Sequence, residues 1–316
     1  MSKLATTALC LCISALLWAQ DFEKVGTTGF TFLEIPVSAR YLGLGETGIT
    51  LLDAGSEAVY FNPAAVATQD RRIGVNVAYA NWYVGSTQKA AALAWSLGKI
   101  GTIGFQARQF DFGEMLKTTN PTVEEIGSYV TLGTYTAGAY AIGLTYARAL
   151  TDKFSFGATL KYVREQIDVY AADNLVADFG FLYRTGFQSL RIGAFLHNFG
   201  LDAKYAEEKF KMPQQLRMGM AAEILGAEQS PTRLTLLVEA LHPNDANERL
   251  HVGTEAFFAG VGVLRVGYKI GYDDEGLCVG AGLRSRIGGS AFGIDAALLN
   301  HSSLNSVVLY TLSMEF

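Results

Sequence analysis

Three stretches of the sequence hold residue types that could carry out chemistry. In the first, His301 precedes Ser303 by two positions, a spacing that could bring an imidazole base to a hydroxyl nucleophile. No acidic residue lies near in sequence to orient the histidine, and the stretch falls in a predicted outer loop. We therefore interpret residues 301–303 as a polar turn, and we predict that the protein is not an enzyme.

The other two stretches could bind a metal ion. Asp273, Asp274 and Glu275 supply the carboxylate oxygens that hard cations prefer. Consecutive acidic residues are also typical of a solvated loop, which is the interpretation we favour. His197 is expected to be a hydrogen-bonded structural histidine near the end of a strand. The sequence therefore predicts no metal site and no cofactor.

Most of the chain consists of segments with one apolar and one polar face. From about residue 72 onward, successive segments alternate apolar and polar side chains. In residues 153–165, Phe154 and Leu160 share one parity, while Ser155 and Lys161 share the other. Alternation with a period of two residues predicts β-strands.

The polar face of these strands combines glycine with charged residues. Glycine weakens the strands of a soluble sheet, but small and charged side chains suit a barrel lumen that is filled by another part of the chain. We expect the charges to form a structural network, although a channel would place the same residue types along a selectivity path. The predicted lumen network comprises Lys161, Glu165, Asp178, Arg191, Arg217, Glu223, Glu255, Arg265, Lys269, Arg284 and Asp295.

The number of strands and the lengths of their connections indicate a membrane barrel. We count about 14 strands, joined by short turns and by longer connections that include residues 113–133, 198–213 and 241–247. An even strand number, short periplasmic turns and longer outer loops are typical of bacterial barrels. The predicted fold is therefore all-β, a transmembrane antiparallel β-barrel over residues 72–316, in the outer membrane of a Gram-negative-type bacterium.

Composition and the N-terminus agree with an exported membrane protein. A formal net charge of −5 provides no basic surface for nucleic acid. Lys3 precedes an apolar stretch, residues 4–17, and Ala19 precedes a polar start, so residues 1–19 are predicted to be a signal peptide. The mature chain would then keep only Cys278, which predicts no disulfide.

The last strand continues to the end of the chain. Its apolar parity consists of Tyr310, Leu312, Met314 and Phe316. We expect this face to contact outer-membrane lipid. The terminal Phe316 resembles the C-terminal signal that the outer-membrane barrel-assembly machinery recognises, which makes that machinery an expected partner.

Residues 20–71 do not alternate and must fold differently. Pro63 is favoured at the first position of a helix and Asn62 just before it, so Asn62 is the predicted N-cap of a short helix. No βαβ unit surrounds Gly43 and Gly45, so we assign these glycines to close backbone packing rather than to a dinucleotide site.

The same segment resembles the N-terminal signature of the PorV/PorQ family, which is related to the FadL-type (OmpP1/FadL/TodX) barrels. The matching positions are Arg40, Gly43, Gly45, Gly48, Ala58, Asn62, Pro63 and Ala64, with further matches at 144–148, 157–162, 178–180, 197–200, 212–219 and 264–268. The resemblance implies a fourteen-stranded barrel whose N-terminal segment, residues 20–71, folds into the lumen as a hatch.

Two functions follow from this resemblance, and both stay open at this point. The first is protein binding at the outer face, in type IX-like secretion or surface attachment, with secreted cargo or secretion components as partners. The alternative is a FadL-like transporter that passes hydrophobic small molecules through a hatch-gated lumen. A structural envelope role is a third, weaker hypothesis.

Overall fold

The fold is a closed antiparallel β-barrel, seen in a computed structural model that describes residues 26–120, 129–205 and 207–316. Fourteen strands of the described residues close the barrel. The predicted all-β barrel and its strand number are thus confirmed. The predicted signal peptide, residues 1–19, and residues 20–25 of the predicted hatch lie outside the described residues.

The strands agree with the segments of alternating side chains. They are β1 (Ile73–Asn81), β2 (Thr87–Ser96), β3 (Thr102–Thr119), β4 (Val130–Ala149), β5 (Phe154–Ile167), β6 (Tyr170–Arg184), β7 (Arg191–Gly200), β8 (Ala203–Tyr205), β9 (Glu208–Phe210), β10 (Gln215–Leu225), β11 (Arg233–Pro243), β12 (Arg249–Phe258), β13 (Gly262–Ile270), β14 (Glu275–Ile287), β15 (Ser290–His301) and β16 (Val307–Glu315). Strands β8 and β9 form a separate hairpin, and the other strands make the barrel.

Helical structure is short. Within the described residues, the α-helices are α1 (Ala39–Gly43) and α2 (Pro63–Val66), and 3₁₀ turns occupy Thr31–Glu34, Gly55–Tyr60, Tyr83–Gly85 and Gly98–Ile100. None of the helices in the described part of the chain reaches the length and hydropathy that a transmembrane helix needs.

The first and last strands close the barrel. Strand β1 pairs antiparallel with β16, with Tyr79 opposite Tyr310. The backbone N–H of Arg72 donates to the carbonyl of Phe316 at 2.9 Å, so pairing extends to the last residue. Closure removes the free sheet edges that lipid could not hydrogen-bond.

The outer surface of the barrel is apolar. Leu160, Val266 and Leu312 are 58%, 53% and 51% exposed, whereas their neighbours Lys161 and Arg265 are buried in the lumen. Tyr310 and Phe316 are likewise exposed, and Met314 is half-buried. A continuous apolar belt around a closed barrel is stable only in lipid, and the protein is therefore an outer-membrane barrel, as predicted.

Two predicted loops contain additional strand. Strands β3 and β4 continue into residues 113–133 as a hairpin that rises beyond its neighbours, after a bulge at Phe112. The predicted loop 198–213 contains the β8–β9 hairpin. Neither stretch shows a clean period of two residues, because a strand in water needs no continuous apolar face.

The N-terminal segment, defined here as residues 26–71, passes through the lumen. At the end with long loops, the N–H of Gly29 donates to the carbonyl of Lys211 at 3.1 Å, just after β9. At the end with short turns, the segment joins β1 beside Phe316. Since short turns face the periplasm, the segment runs from the outer end of the barrel to the periplasmic end.

Candidate functional site

Lumen-facing glycines make room for the N-terminal segment. Gly157 and Gly180 face each other on β5 and β6, and a Cβ at either position would overlap Pro63 or Asn62. In the same way, residues 44–47 pack against the pair Gly253–Gly267. Ile49 packs against the pair Gly193–Gly219. The glycines on the polar parity therefore let the backbone of the segment touch the barrel wall.

Helix α2 begins as local sequence rules predict. Pro63 occupies the first turn, and the side-chain oxygen of Asn62 accepts a hydrogen bond from the N–H of Ala64 at 3.0 Å. The amide nitrogen of Asn62 also donates to the carbonyls of Ile49 and Phe181. Asn62 thus joins the helix to the segment and to strand β6.

Replacing Asn62 with alanine is expected to destabilise the N-terminal segment by about 0.5–2 kcal/mol, because the helix cap is lost. The carbonyl of Ile49, buried in the lumen, would also lose its donor. Urea unfolding of the variant in detergent micelles would measure the loss. Asn81→Ala, at the exposed end of β1, is the matched control and should change stability by less than about 0.5 kcal/mol.

The other residues of the hatch motif also contact the barrel or stabilise the segment. Arg40 donates two hydrogen bonds to Glu255 at 2.9 and 2.8 Å, and a third to Asp53 at 3.1 Å. A Cβ on Gly43 would lie 3.0 Å from the backbone of Gly280. The remaining two glycines of the motif, Gly45 with a φ of +66° and Gly48, would overlap Tyr268 and Tyr41 if they carried side chains.

Ten of the eleven predicted network residues form buried or partly buried ion pairs. Arg265 pairs with Glu255 at 2.7 Å and with Asp295 at 2.6 Å, and Arg284 reaches Asp295 at 2.8 Å. The other predicted members form the pairs Lys161–Asp178, Arg191–Glu223, Arg217–Glu46 and Lys269–Glu46. Glu165 lies on the same parity and is half-buried, but it forms no ion pair among the described residues, so its place in the network stays a prediction.

Four ion pairs of the described residues join the N-terminal segment to the barrel. They are Arg40–Glu255 at 2.8 Å, Glu46–Lys269 at 2.7 Å, Glu46–Arg217 at 3.6 Å and Asp53–Arg233 at 3.0 Å. Removing one partner of a buried ion pair costs about 3–5 kcal/mol, because the other charge stays desolvated. The arrangement supports a structural network, since these charges bind each other rather than line an open path.

Several network members were not predicted. Glu46, Asp53 and Glu57 lie in the aperiodic segment, where no spacing distinguishes a buried carboxylate from an exposed one. Arg108 lies on the lumen parity of β3 and donates to the carbonyl of Leu33 at 2.7 Å. Its place in the alternation of β3 could have revealed it, whereas the positions in the segment offered no such signal.

An apolar cluster occupies the lumen at its outer end. Phe30 and Phe32 of the N-terminal segment are almost fully buried, and the ring of Phe30 lies 5.6 Å from that of Phe210 in β9. We call this set the outer apolar cluster. Its members are Phe30, Phe32, Leu33, Phe110, Ala139, Ala141, Val163, Ala172, Val176, Ala203 and Met212, with Ile35, Trp82, Tyr205 and Phe210 packed against them. Sequence reasoning did not predict this feature, because no residue pattern links the segment to the β8–β9 hairpin.

A carboxyl group beside this cluster is expected to make the outer end of the segment sensitive to pH. Burial, and then the carboxylate of Asp245, raise the pKa of Glu34 to about 7, while Arg249 and Arg217 oppose the shift and Glu46 adds to it. The carboxyl has a pKa of 4.5 in the unfolded chain and about 7 in the folded one, so its ionisation favours unfolding. The free energy of unfolding therefore falls as the pH rises from about 4.5 to about 7, and it is lowest above that range.

The emission of Trp82, which packs on the cluster, should therefore change between about pH 5 and pH 8 as the outer end loosens. Glu34→Gln should flatten the profile. Asp168→Asn removes a partly buried carboxylate that pairs with Lys117 in another outer turn, away from the cluster, and should leave the profile unchanged. An unaltered profile in Glu34→Gln would contradict the assignment.

The residues first considered for catalysis do not assemble an active site. The N–H groups of Ser303 and Leu304 donate to Nδ1 of His301 at 3.1 Å. The hydroxyl of Ser303 donates instead to Asp274 at 2.9 Å, an acidic partner that is distant in sequence. The histidine therefore receives no serine hydroxyl, and the group lacks the contact between nucleophile and base.

The candidate metal ligands do not converge either. The carboxylate of Glu275 turns toward Lys269 at 2.6 Å, while that of Asp274 accepts from the serines. The described residues contain no group of three or more His, Cys, Asp or Glu side chains that could hold a metal ion. His197 stacks on Phe195, and its Nε2 lies 3.9 Å from the carboxylate of Asp178, which is beyond hydrogen-bond distance.

Comparison with known proteins places this geometry in a structural context. No protein-family model matches the chain, and no curated protein sequence matches it. Among solved structures, the CymD monoaromatic hydrocarbon channel is similar with a TM-score of 0.60 and 11% identity, over 89% of this chain and 97% of that one. The toluene transporter TodX of Pseudomonas putida gives a TM-score of 0.58 and 12% identity, over 88% and 97%.

The chain has the fold of these channels. TodX belongs to the FadL-type barrels, the group to which the PorV/PorQ family is related. The closer resemblance to PorV and PorQ is not supported by any of these matches. At such low identity the similarity establishes the fold, and the activity has to be argued from the residues of this chain.

Proposed function

We propose that this barrel passes small hydrophobic molecules across the outer membrane, with the N-terminal segment as its gate. The outer apolar cluster is the observation that carries the proposal. Phe30, Phe32 and Met212 bury apolar surface at the outer end of the lumen, where the β8–β9 hairpin packs over them. A second and larger apolar cluster, which includes Leu44, Leu51 and Phe61, fills the lumen elsewhere. The structurally similar proteins, a monoaromatic hydrocarbon channel and a toluene transporter, agree with such a substrate.

An apolar molecule that binds at the outer apolar cluster would bury its surface away from water. Removing apolar surface from water contributes roughly 25 cal/mol per Å², and aromatic rings favour edge-to-face contacts with other rings. Phe30 and Phe32 belong to the N-terminal segment rather than to the barrel wall. A ligand that takes their place would therefore loosen the segment at its outer end.

Ligand binding can be measured through Trp82, which packs on the cluster. In a Trp95→Phe background, Trp82 is the only tryptophan among the described residues. Naphthalene should change its emission saturably in detergent micelles. Phe210→Ser, in the hairpin over the cluster, should weaken binding, while Phe187→Ser, in an exposed periplasmic turn, should not. A linear response, or equal affinity in both variants, would contradict the proposal.

A second candidate function, protein binding at the outer face, is favoured by the tall β3–β4 hairpin. Leu116, Tyr129 and Leu132 are 61%, 67% and 60% exposed on it. Exposed apolar side chains above the membrane suit contact with a secreted protein, as the PorV/PorQ resemblance implies. Replacing residues 113–133 with a short turn should remove co-purifying secreted proteins if this function holds, and should leave naphthalene binding intact.

The barrel-assembly machinery remains a proposed partner for biogenesis. The outward apolar face at the end of the chain consists of Tyr310, Leu312 and Met314 of β16 and of Phe316, which follows it. An assembly factor could contact this face before the barrel closes. Phe316→Ser should lower the amount of folded barrel in cells, while in vitro folding into lipid vesicles should change little.

A further inference from the structure

The periplasmic rim contains two neighbouring cavities on one side of the barrel. One has a volume of about 370 Å³ and lies between the end of the N-terminal segment and the β4–β5 turn. The other has a volume of about 340 Å³ and lies between the β2–β3 turn and the end of β4. Both are lined in part by Ala67 and Ala149, so they adjoin each other.

Only the smaller cavity has an unbalanced charge. The larger one is lined by two cations, Lys153 and Arg184, and by two carboxylates, Asp70 and Asp152. The smaller one is lined by Lys99 and Arg148 and by no acidic residue. No ion pair to either of these two cations is formed within the described residues 26–120, 129–205 and 207–316, and both side chains are exposed. The smaller cavity is therefore suited to an anion.

The surroundings of this cavity point to a lipid rather than to a soluble anion. Trp95 and Tyr146 are exposed on the outer face of β2 and β4, at the periplasmic end of the apolar belt. The hydroxyl of Tyr146 donates to the carbonyl of Ile100 at 2.6 Å, which fixes the aromatic ring against the turn that carries Lys99. Aromatic rings of this kind mark the level at which lipid headgroups lie.

Apolar side chains adjoin the two cations in sequence. Ile100 follows Lys99 and is 66% exposed, and Leu150 lies two residues after Arg148 and is 54% exposed. An acidic protein segment or a free phosphate would leave both of these side chains in water. A phospholipid would cover them with its glycerol backbone and acyl chains while its phosphate reaches the cations.

We propose that the cavity lined by Lys99 and Arg148 binds one anionic glycerophospholipid of the periplasmic leaflet. The guanidinium of Arg148 and the ammonium of Lys99 would donate charge-assisted hydrogen bonds to the phosphate. Gly98 of the turn lines the cavity and has open space where a Cβ would lie, which leaves room for the headgroup. Ala67, at the inner side of the cavity, places the lipid next to the point where the N-terminal segment leaves the lumen.

Native mass spectrometry of the full-length protein in a mild non-ionic detergent tests this proposal. Phosphatidylglycerol should be retained as a single bound molecule and phosphatidylethanolamine much less. Each basic residue near a lipid surface contributes about 1 kcal/mol to the attraction of anionic lipid, so Lys99→Gln with Arg148→Gln should weaken retention about tenfold or more. Arg71→Gln with Arg286→Gln removes two charges from the same rim outside both cavities and should have little effect.

The fold of each variant is checked by the shift in gel mobility on heating, which does not depend on bound lipid. Equal retention of phosphatidylglycerol by the two double variants would overturn the proposal in favour of a diffuse basic rim. Displacement of phosphatidylglycerol by millimolar inorganic phosphate would overturn it in favour of a simple phosphate site. Selective loss in the Lys99 and Arg148 variant, with no displacement by phosphate, would support it.

Discussion

Deletion of residues 40–68 is expected to turn a closed barrel into one that conducts ions. Fourteen strands enclose more space than their own side chains fill, since about eight already suffice for a side-chain-packed interior. The deleted residues now occupy that space, and Leu42, Ala64 and Val66 among them have no exposed surface. Planar-bilayer recordings should show little current for the intact protein and a large conductance for the deletion variant.

A second variant makes the same test possible if the deletion variant does not fold. Gly157→Phe places a ring where Pro63 and Ala64 now touch the wall, so it should displace the segment without removing it. Gly138→Phe, on β4, is the control, because its Cβ would meet only the carbonyl of Phe110 at 3.5 Å. A folded deletion variant and a folded Gly157→Phe variant that both stay silent would show that the segment does not close the lumen.

Arginine at Leu160 or at Val266 is expected to prevent folding into lipid. Both side chains lie in the middle of the exposed apolar belt, at 58% and 53% exposure. A cationic side chain at the bilayer midplane of a barrel costs about 2–4 kcal/mol, which is a large part of the stability of most proteins. Folding into phosphatidylcholine vesicles, followed by gel mobility without heating, measures the effect.

The matched control for Leu160→Arg is Gln166→Arg, on the same strand and the same face but above the belt. It should fold normally. Lumen-facing Thr159 on the opposite parity is not a suitable control, because it is 2% exposed and hydrogen-bonded to Thr145 at 2.8 Å. An arginine there would overlap packed side chains. Equal folding of the Leu160 and Gln166 variants would contradict the assignment of the lipid-facing surface.

The barrel could be predicted from the sequence because each strand has two different environments. The alternation at residues 153–165 reproduces β5, Phe154–Ile167, since lipid on one side and a packed lumen on the other select opposite residue types. The upper parts of β3 and β4 have water on both sides. No such selection acts there, so the sequence predicts a loop at residues 113–120 and 130–133 where the structure has strand.

The lumen could be predicted in part. Asn62 and Pro63 specify the start of α2 through local backbone preferences, and the charges on the lumen parity were found by counting along each strand. Their partners were not found, because Arg40 and Glu255 are 215 residues apart and meet only through the barrel's register. The outer apolar cluster could not be predicted for the same reason, since no sequence pattern links Phe30 to Phe210.

A reversible disulfide between the N-terminal segment and the barrel would show whether the segment acts as a gate. Thr47 touches Gly253, where a Cβ would overlap both the threonine hydroxyl and the carbonyl of Leu44, so cysteines at these two positions can form a disulfide once residues 44–47 shift away from the wall. Cys278, which is buried in β14, is replaced by alanine in the same protein. The measurement is the uptake of labelled naphthalene by cells that carry this variant, under oxidising and then reducing conditions. We expect uptake to fall to the level of cells without the protein when the disulfide forms, and to return on reduction, whereas equal uptake in both states would contradict gating by the segment.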